Sequence, residues 1–161
     1  MPELIKVGMA DLKTGKSPDS IISYGLGSCV GIALYDAQIK IGGLAHIMLP
    51  DSTQARATDN TAKFADTAIP ILLDQIVRLG AAKNRITAKI AGGSQMFSFA
   101  QASDVMRIGD RNVESVREIL KSLAIRIIAE DVGGNYGRTV ELLLDSGVFV
   151  IKTVNKGENR L

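Results

Sequence analysis

The chain has 161 residues, 46% of them hydrophobic and 22% charged, with 19 Lys and Arg against 17 Asp and Glu for a net charge of +2. That length suits one domain of ordinary size, and the near balance of charge argues against a nucleic-acid or anionic-membrane surface driven by charge. The single cysteine excludes an internal disulfide, no stretch reaches the ~20 apolar residues of a membrane span, and the charge-interrupted N-terminus does not resemble a signal peptide, so a soluble, cytoplasmic protein is expected.

Leu4 to Leu12 reads as a first strand, and Lys13 to Asp19 as a break too polar for the core. Ser20 to Tyr24 is a second short strand that runs into Gly25-Leu26-Gly27-Ser28-Cys29-Val30-Gly31. Two apolar runs, Val30 to Tyr35 and Ile41 to Ala45, flank the polar Asp36 to Lys40, which is the pattern of a hairpin. It occupies roughly Cys29 to Leu49 and is closed by Pro50-Asp51. A turn centred between Ala37 and Gln38 sets Cys29 directly across from His46, on one sheet face with Cβ atoms about 4.5 to 5.5 Å apart.

Ser52 to Asn60 is polar and weakly patterned, an exposed loop. From Asp59 or Asn60 as N-cap, Phe64, Ala65, Ala68, Leu72, Leu73, Ile76 and Val77 recur at helical spacing, and Gly80 supplies the stop. Pro70 within this helix predicts a kink or two consecutive helices, because proline removes a hydrogen bond and crowds the preceding turn. Arg85 to Ala91 alternates as a half-buried strand does and ends at Gly92-Gly93. Ser94 to Arg107 is ambiguous: its apolar Met96, Phe97, Phe99 and Met106 suit the core or an exposed apolar lip, and the core is the better reading. A second helix, Val113 to Leu123, is opened by Gly109-Asp110-Arg111-Asn112, with Asn112 or Asp110 as cap and Val113, Val116, Ile119, Leu120 and Leu123 on the buried face. Ile125 to Ala129 is a strand, Asp131 to Arg138 a glycine-rich loop, and Thr139 to Leu144 with Val148 to Val154 a hairpin around Asp145-Ser146-Gly147. The polar residues 155–161 are expected to fray. Residues 1–154 then form a single domain and 155–161 a C-terminal tail. Two helices against six or seven short strands predict an α+β fold with a mixed, largely antiparallel sheet and helices packed on it.

Cys29 and His46 are the chain's lone cysteine and histidine. A free thiol with a pKa of ~8.5 is only a few per cent thiolate at neutral pH and needs a neighbouring base to become a good nucleophile. Gly25 and Gly27 allow close backbone approach and leave amide N–H groups near Gly27 and Ser28 to hold an oxyanion. The bland alternative is a tight turn, an inert core thiol and a satisfied imidazole. Other familiar patterns fit poorly. Val30 stands where a dinucleotide fingerprint needs its third glycine. Gly27-Ser28-Cys29-Val30-Gly31 matches a nucleophile elbow, but a hairpin follows it instead of a helix, and the histidine comes too early for that fold or for a papain-like enzyme. One Cys and one His leave a metal site short of ligands, so no metal and no cofactor are expected.

Leu26-Gly27-Ser28-Cys29-Val30 and Gly42-Gly43-Leu44-Ala45-His46-Ile47-Met48-Leu49-Pro50 resemble the chemoreceptor glutamine deamidases, the CheD family. The resemblance continues through Lys63-Phe64-Ala65-Asp66, Ala68-Ile69-Pro70, Lys89 to Phe97, Ile108 to Asn112, Asp131 to Gly134 and Gly137-Arg138, in family order over nearly the whole chain. It implies an α/β/α sandwich similar to glutamine-deamidating bacterial toxins, and a cysteine hydrolase, a protein-glutamine glutaminase, that converts receptor glutamines to glutamate. The family's catalytic Cys and His match Cys29 and His46. Its third member is a Thr at the position held here by Ser23, which keeps the hydroxyl and loses the methyl group that stiffens χ1. The implied partners are the cytoplasmic helical region of chemotaxis receptors and a CheC-type phosphatase, with no nucleic acid and no membrane insertion. A second reading, of another class, is a regulatory binding module for the phosphatase or the receptor with little catalysis.

Overall fold

The computed structural model describes residues 2–53, 60–95 and 107–161. In chain order the elements are β1 (Leu4–Val7), β2 (Asp11–Lys16), β3 (Ser20–Leu26), β4 (Val30–Asp36), β5 (Ile41–Ile47), α1 (Ala65–Arg78), β6 (Ile86–Gly92), α2 (Ile108–Ser122), β7 (Arg126–Val132), β8 (Arg138–Leu143), β9 (Phe149–Thr153) and β10 (Gly157–Arg160). The strands form two five-stranded sheets, ordered β1-β3-β8-β9-β10 and β2-β5-β4-β6-β7. Among the strands of the described residues, only β1–β3 and β6–β7 pair in parallel. No described helix is long and apolar enough to cross a membrane.

Alternation along β4 sorts the core in two. Val30, Ile32 and Leu34 point one way and pack with Ala68, Ile69, Leu72 and Ile76 of α1 and Val113, Val116 and Leu120 of α2. Ala33 and Tyr35 point the other way and pack with Ile21, Leu26, Val140, Leu142, Phe149 and Ile151 of the facing sheet. The α+β class, the mixed pairing and the two main helices are as the sequence predicts. The layer order is helix, sheet, sheet among the described residues, where the resemblance implied one sheet between helical layers. Which strands share a sheet is decided by non-local pairing, and the second outer layer here is the sheet built on β3 and β8.

Several local expectations are corrected. Leu4 to Leu12 is not one strand, because the chain passes from one sheet to the other at Gly8–Ala10, where Ala10 has a φ of 56°. Lys13 to Lys16 is not a break but part of β2, whose polar residues suit a sheet edge. Asn60 does not cap α1, which starts from an extended Phe64, while Asp59 lies outside the described residues. Helix α1 runs unbroken through Pro70, whose missing N–H removes one bond near the helix start. Asn112 and Asp110 lie inside α2, which begins at Ile108. Residues 157–160 do not fray: β10 pairs with β9, and Leu161 and Phe149 exchange two backbone hydrogen bonds of 2.9 and 3.1 Å. Most of the predicted loop from Ser52 to Asn60, and Met96, Phe97, Phe99 and Met106, lie outside the described residues.

The hairpin register also differs. Asp36 pairs with Ile41, so the connection is Ala37 to Lys40, and His46 lies opposite Gly31 instead of Cys29. The longer loop is built by Asp36, whose carboxylate accepts from Gln38 N–H at 3.0 Å and whose carbonyl accepts from Lys40 N–H at 2.8 Å, with Lys40 at a φ of 56°. Such closure favours a four-residue loop over the two-residue turn that Ala37-Gln38 would need. The register moves by two residues, an even step, so Cys29 and His46 keep a common face.

Candidate active site

β3 carries a bulge: Ser23 pairs with Val140 and Leu26 with Arg138, so Tyr24 and Gly25 together oppose Thr139. Gly25 takes a φ of 71°, which suits the extra residue of a bulge. The bulge keeps both Ser23 and Leu26 directed between the sheets, and Gly27 to Cys29 then lead the chain across to β4. Cys29 belongs to the apolar cluster between the sheets and is 7% exposed. His46 reaches the same space from β5 and is 1% exposed.

Ser23 Oγ lies 2.8 Å from His46 Nδ1 and donates to the Val7 carbonyl at 2.7 Å. A hydroxyl has one proton. With that proton on Val7 O, Oγ can only accept from Nδ1–H, which leaves Nε2 as the unprotonated nitrogen. Nε2 is buried and has no hydrogen-bond partner among the described residues. Burial lowers the His46 pKa and raises that of Cys29, against which the Cys29 backbone N–H acts weakly in the opposite sense. Both shifts favour the uncharged forms of the pair.

The loop that carries Cys29 is held by its carbonyls. Gly27 O accepts from Ser94 N–H at 2.9 Å, Ser28 O from Asn112 Nδ2 at 2.9 Å and Cys29 O from Gly93 N–H at 2.8 Å. The amides of Gly27, Ser28 and Cys29 donate to no backbone carbonyl among the described residues, and that of Cys29 faces its own thiol. Gly92, at a φ of 113°, lets the turn after β6 approach this closely, since a Cβ there would sit 2.2 Å from Cys29 O. The turn is braced from beneath by the buried Arg138, which donates to Asp131 Oδ1 at 3.0 and 3.1 Å, to Ser94 Oγ at 3.1 Å and to Gly133 O at 2.9 Å. Among the described residues, no three of His, Cys, Asp and Glu come together as metal ligands.

The sequence-predicted residues Ser23, Cys29 and His46 thus share one intersheet space, and Gly27 and Ser28 form the adjacent loop. A family model described as CheD chemotactic sensory transduction matches residues 48–153. A protein of Lachnoclostridium phytofermentans named probable chemoreceptor glutamine deamidase CheD is 52% identical over 100% of both chains. One of Clostridium botulinum with the same name is 56% identical over 98% of this chain and 97% of its own. The chain belongs to the CheD family. The CheD family model begins after His46, so it does not cover Ser23, Cys29 or His46, which lie within the span of the full-length relatives. A solved structure, the C-terminal domain of CNFy from Yersinia pseudotuberculosis, aligns with 98% of this CheD-family chain and 61% of its own at 13% identity and a TM-score of 0.44, too low to carry an argument. Asn112, Gly93, Ser94 and Arg138 were not legible as parts of the site. Asn112 and Arg138 lie in segments of the CheD resemblance, but nothing in the local pattern says that either one reaches the Cys29 loop or the turn that holds it.

Proposed function

We propose that this protein is a cysteine hydrolase that deamidates glutamine side chains of chemotaxis receptors to glutamate, acting as one catalytic domain. The observation that carries the reading is the buried imidazole whose Nδ1 is engaged by Ser23 and whose Nε2 is left without a partner, on the sheet face it shares with the thiol. The names of relatives 52% and 56% identical over essentially the full chain support the substrate.

His46 Nε2 takes the Cys29 proton as Sγ adds to the carboxamide carbon of a receptor glutamine, and the C=O electron pair moves onto oxygen. Backbone N–H groups at Gly27 to Cys29 hold that oxyanion. The oxyanion collapses, the C–N bond breaks, and His46 returns its proton to the departing nitrogen, releasing ammonia and leaving a thioester. Water then adds to the thioester with its proton taken by Nε2, the C–S bond breaks, and the thiol is restored beside a new glutamate. Ser23 keeps the imidazole in the tautomer that both halves need. Because burial favours the uncharged form of both groups, the nucleophile is generated as it attacks, not stored as a thiolate.

A receptor helix requires an open approach. A depression of about 260 Å³ lined by Gly25, Tyr136, Arg138, Lys152 and Val154 lies beside the bulge, with Tyr24 exposed next to it, and neither Cys29 nor His46 is among its lining residues. The proposed setting is the cytoplasm, with the helical region of receptors as substrate and a CheC-type phosphatase as second partner. Mass spectrometry of a receptor cytoplasmic fragment before and after incubation tests the reading. Wild type is expected to add about 1 Da per converted glutamine, the amide-to-acid difference, and Cys29→Ala none. Ammonia release by Cys29→Ala would remove the assignment.

A further inference from the structure

Asn112 lies in the first half of α2 and is fully buried among Val113 and Val116, where the helical pattern calls for an apolar side chain. Its Nδ2 donates to Ser28 O at 2.9 Å and to Met48 O at 3.0 Å. Both neighbours are carbonyl oxygens that can only accept, so the orientation of the amide is fixed by its surroundings. Its Oδ1 is left buried with no partner among the described residues. An unsatisfied buried oxygen is a standing cost that an alanine would not carry. Something other than packing is gained by an amide here.

Peptide planarity supplies the reason. The C=O of Ser28 and the N–H of Cys29 belong to one trans peptide and point in opposite directions. Drawing Ser28 O onto Asn112 therefore turns the Cys29 N–H away from α2. Gly93 and Ser94 hold the flanking carbonyls with backbone N–H groups, so Asn112 is the one side chain in the clamp among the described residues. The same NH₂ group holds the carbonyl of Met48, just past His46. One amide thus fixes the direction of the nucleophile's own N–H and ties the Cys29 loop to the strand that carries the base.

We propose that Asn112 is a positioning residue that aims the Cys29 N–H at the oxyanion formed when Sγ adds to the glutamine carbonyl. The inference rests on the function proposed above. It is tested by assaying ammonia release from a receptor fragment with wild type, Cys29→Ala, Asn112→Ala and Asn112→Leu, together with alkylation of Cys29 by iodoacetamide across a pH series. Alkylation displaces iodide at a saturated carbon and forms no oxyanion, so it reads the thiol and its surroundings but not the donor. Asn112→Leu keeps a similar side-chain volume, adds no charge and has no proton to donate. Both variants at 112 are expected to lose about 100-fold in kcat, the scale of one oxyanion donor, with little change in KM. Their alkylation rate and pH profile are expected to match wild type. A kcat within about threefold of wild type overturns the proposal. So does a loss accompanied by a changed alkylation rate or a shifted profile, which would make Asn112 a structural prop. If Cys29→Ala still releases ammonia, the functional reading itself falls, and that variant leaves Asn112 untouched.

Discussion

Replacing Ser23 with Ala removes the one acceptor that selects the His46 tautomer. In the native site Nδ1–H gives its proton to Oγ at 2.8 Å, and Oγ gives its own to Val7 O at 2.7 Å. Both bonds are buried, so the variant strands an imidazole N–H and weakens the β1–β3 seam. A stranded buried donor costs about 1 to 3 kcal/mol. For a chain of this size that lowers Tm by about 2 to 4 °C per kcal/mol. The kinetic loss has two parts. A neutral hydrogen bond worth about 1 kcal/mol holds the reactive tautomer roughly fivefold over its alternative. Freeing the ring to rotate away from the thiol adds to that, for a total of about 10- to 100-fold in kcat/KM. The effect stays well short of the ~10⁴-fold seen where a charged carboxylate orients the imidazole, because a hydroxyl cannot stabilise imidazolium as a carboxylate does. Steady-state ammonia release from a receptor fragment, with Tm from the same preparation, measures both parts. Ser23→Thr, which restores the hydroxyl, is expected to keep most of the activity. A Ser23→Ala enzyme within about twofold of wild type, folded and cooperative, would refute the role given to the hydroxyl.

Three further outcomes follow from the same geometry. Burial moves His46 below its ordinary value of 6.5 and Cys29 above 9.0, so kcat/KM should rise with pH through the lowered imidazole value, stay flat across neutrality and fall only as the thiol ionises; a thiolate detected by alkylation below pH 6 would contradict the neutral pair. Burial of Asp36 raises its pKa, but Arg85 at 2.9 Å and the N–H groups of Ala82 and Gln38 outweigh that and hold it below its ordinary value. Its contribution is therefore present above the unfolded pKa of ~3.9 and lost as pH falls through the depressed folded value. Asp36→Ala should cost about 2 to 4 kcal/mol by urea denaturation at pH 7, at the lower end for a broken buried pair because Arg85 is partly exposed, and the difference from wild type should narrow in acid. Gly92→Ala places a Cβ 2.2 Å from Cys29 O in a left-handed conformation and should cost about 3 kcal/mol or more in the same assay, with deamidation lost beyond what stability explains.

The hairpin shows how far pattern reading reaches. Alternation over β4 and β5 put Cys29 and His46 on one face, and that survived a register error because the error was even. The register itself depended on Asp36, whose bonds to Gln38 and Lys40 lengthen the loop. Arg85, from the distant start of β6, then locks the same carboxylate in place. The polar β2 and β10 were misread for a related reason. Their hydrogen-bond partners, not their side chains, make them strands, and pairing with β5 or β9 leaves no mark in local composition.

From the sequence alone came the candidate nucleophile, the candidate base, the two helices and a family resemblance that named a substrate, because each of these depends on residue identity or on a period of two or 3.6 along the chain. The tertiary structure alone decided that Ser23, from the facing sheet, meets His46 Nδ1, and that Asn112 and the turn at Gly92 to Ser94 hold the carbonyls of the Cys29 loop. Those contacts join residues far apart in the chain through strand order, sheet stacking and the direction of single peptide planes, and none of these is written in any one segment.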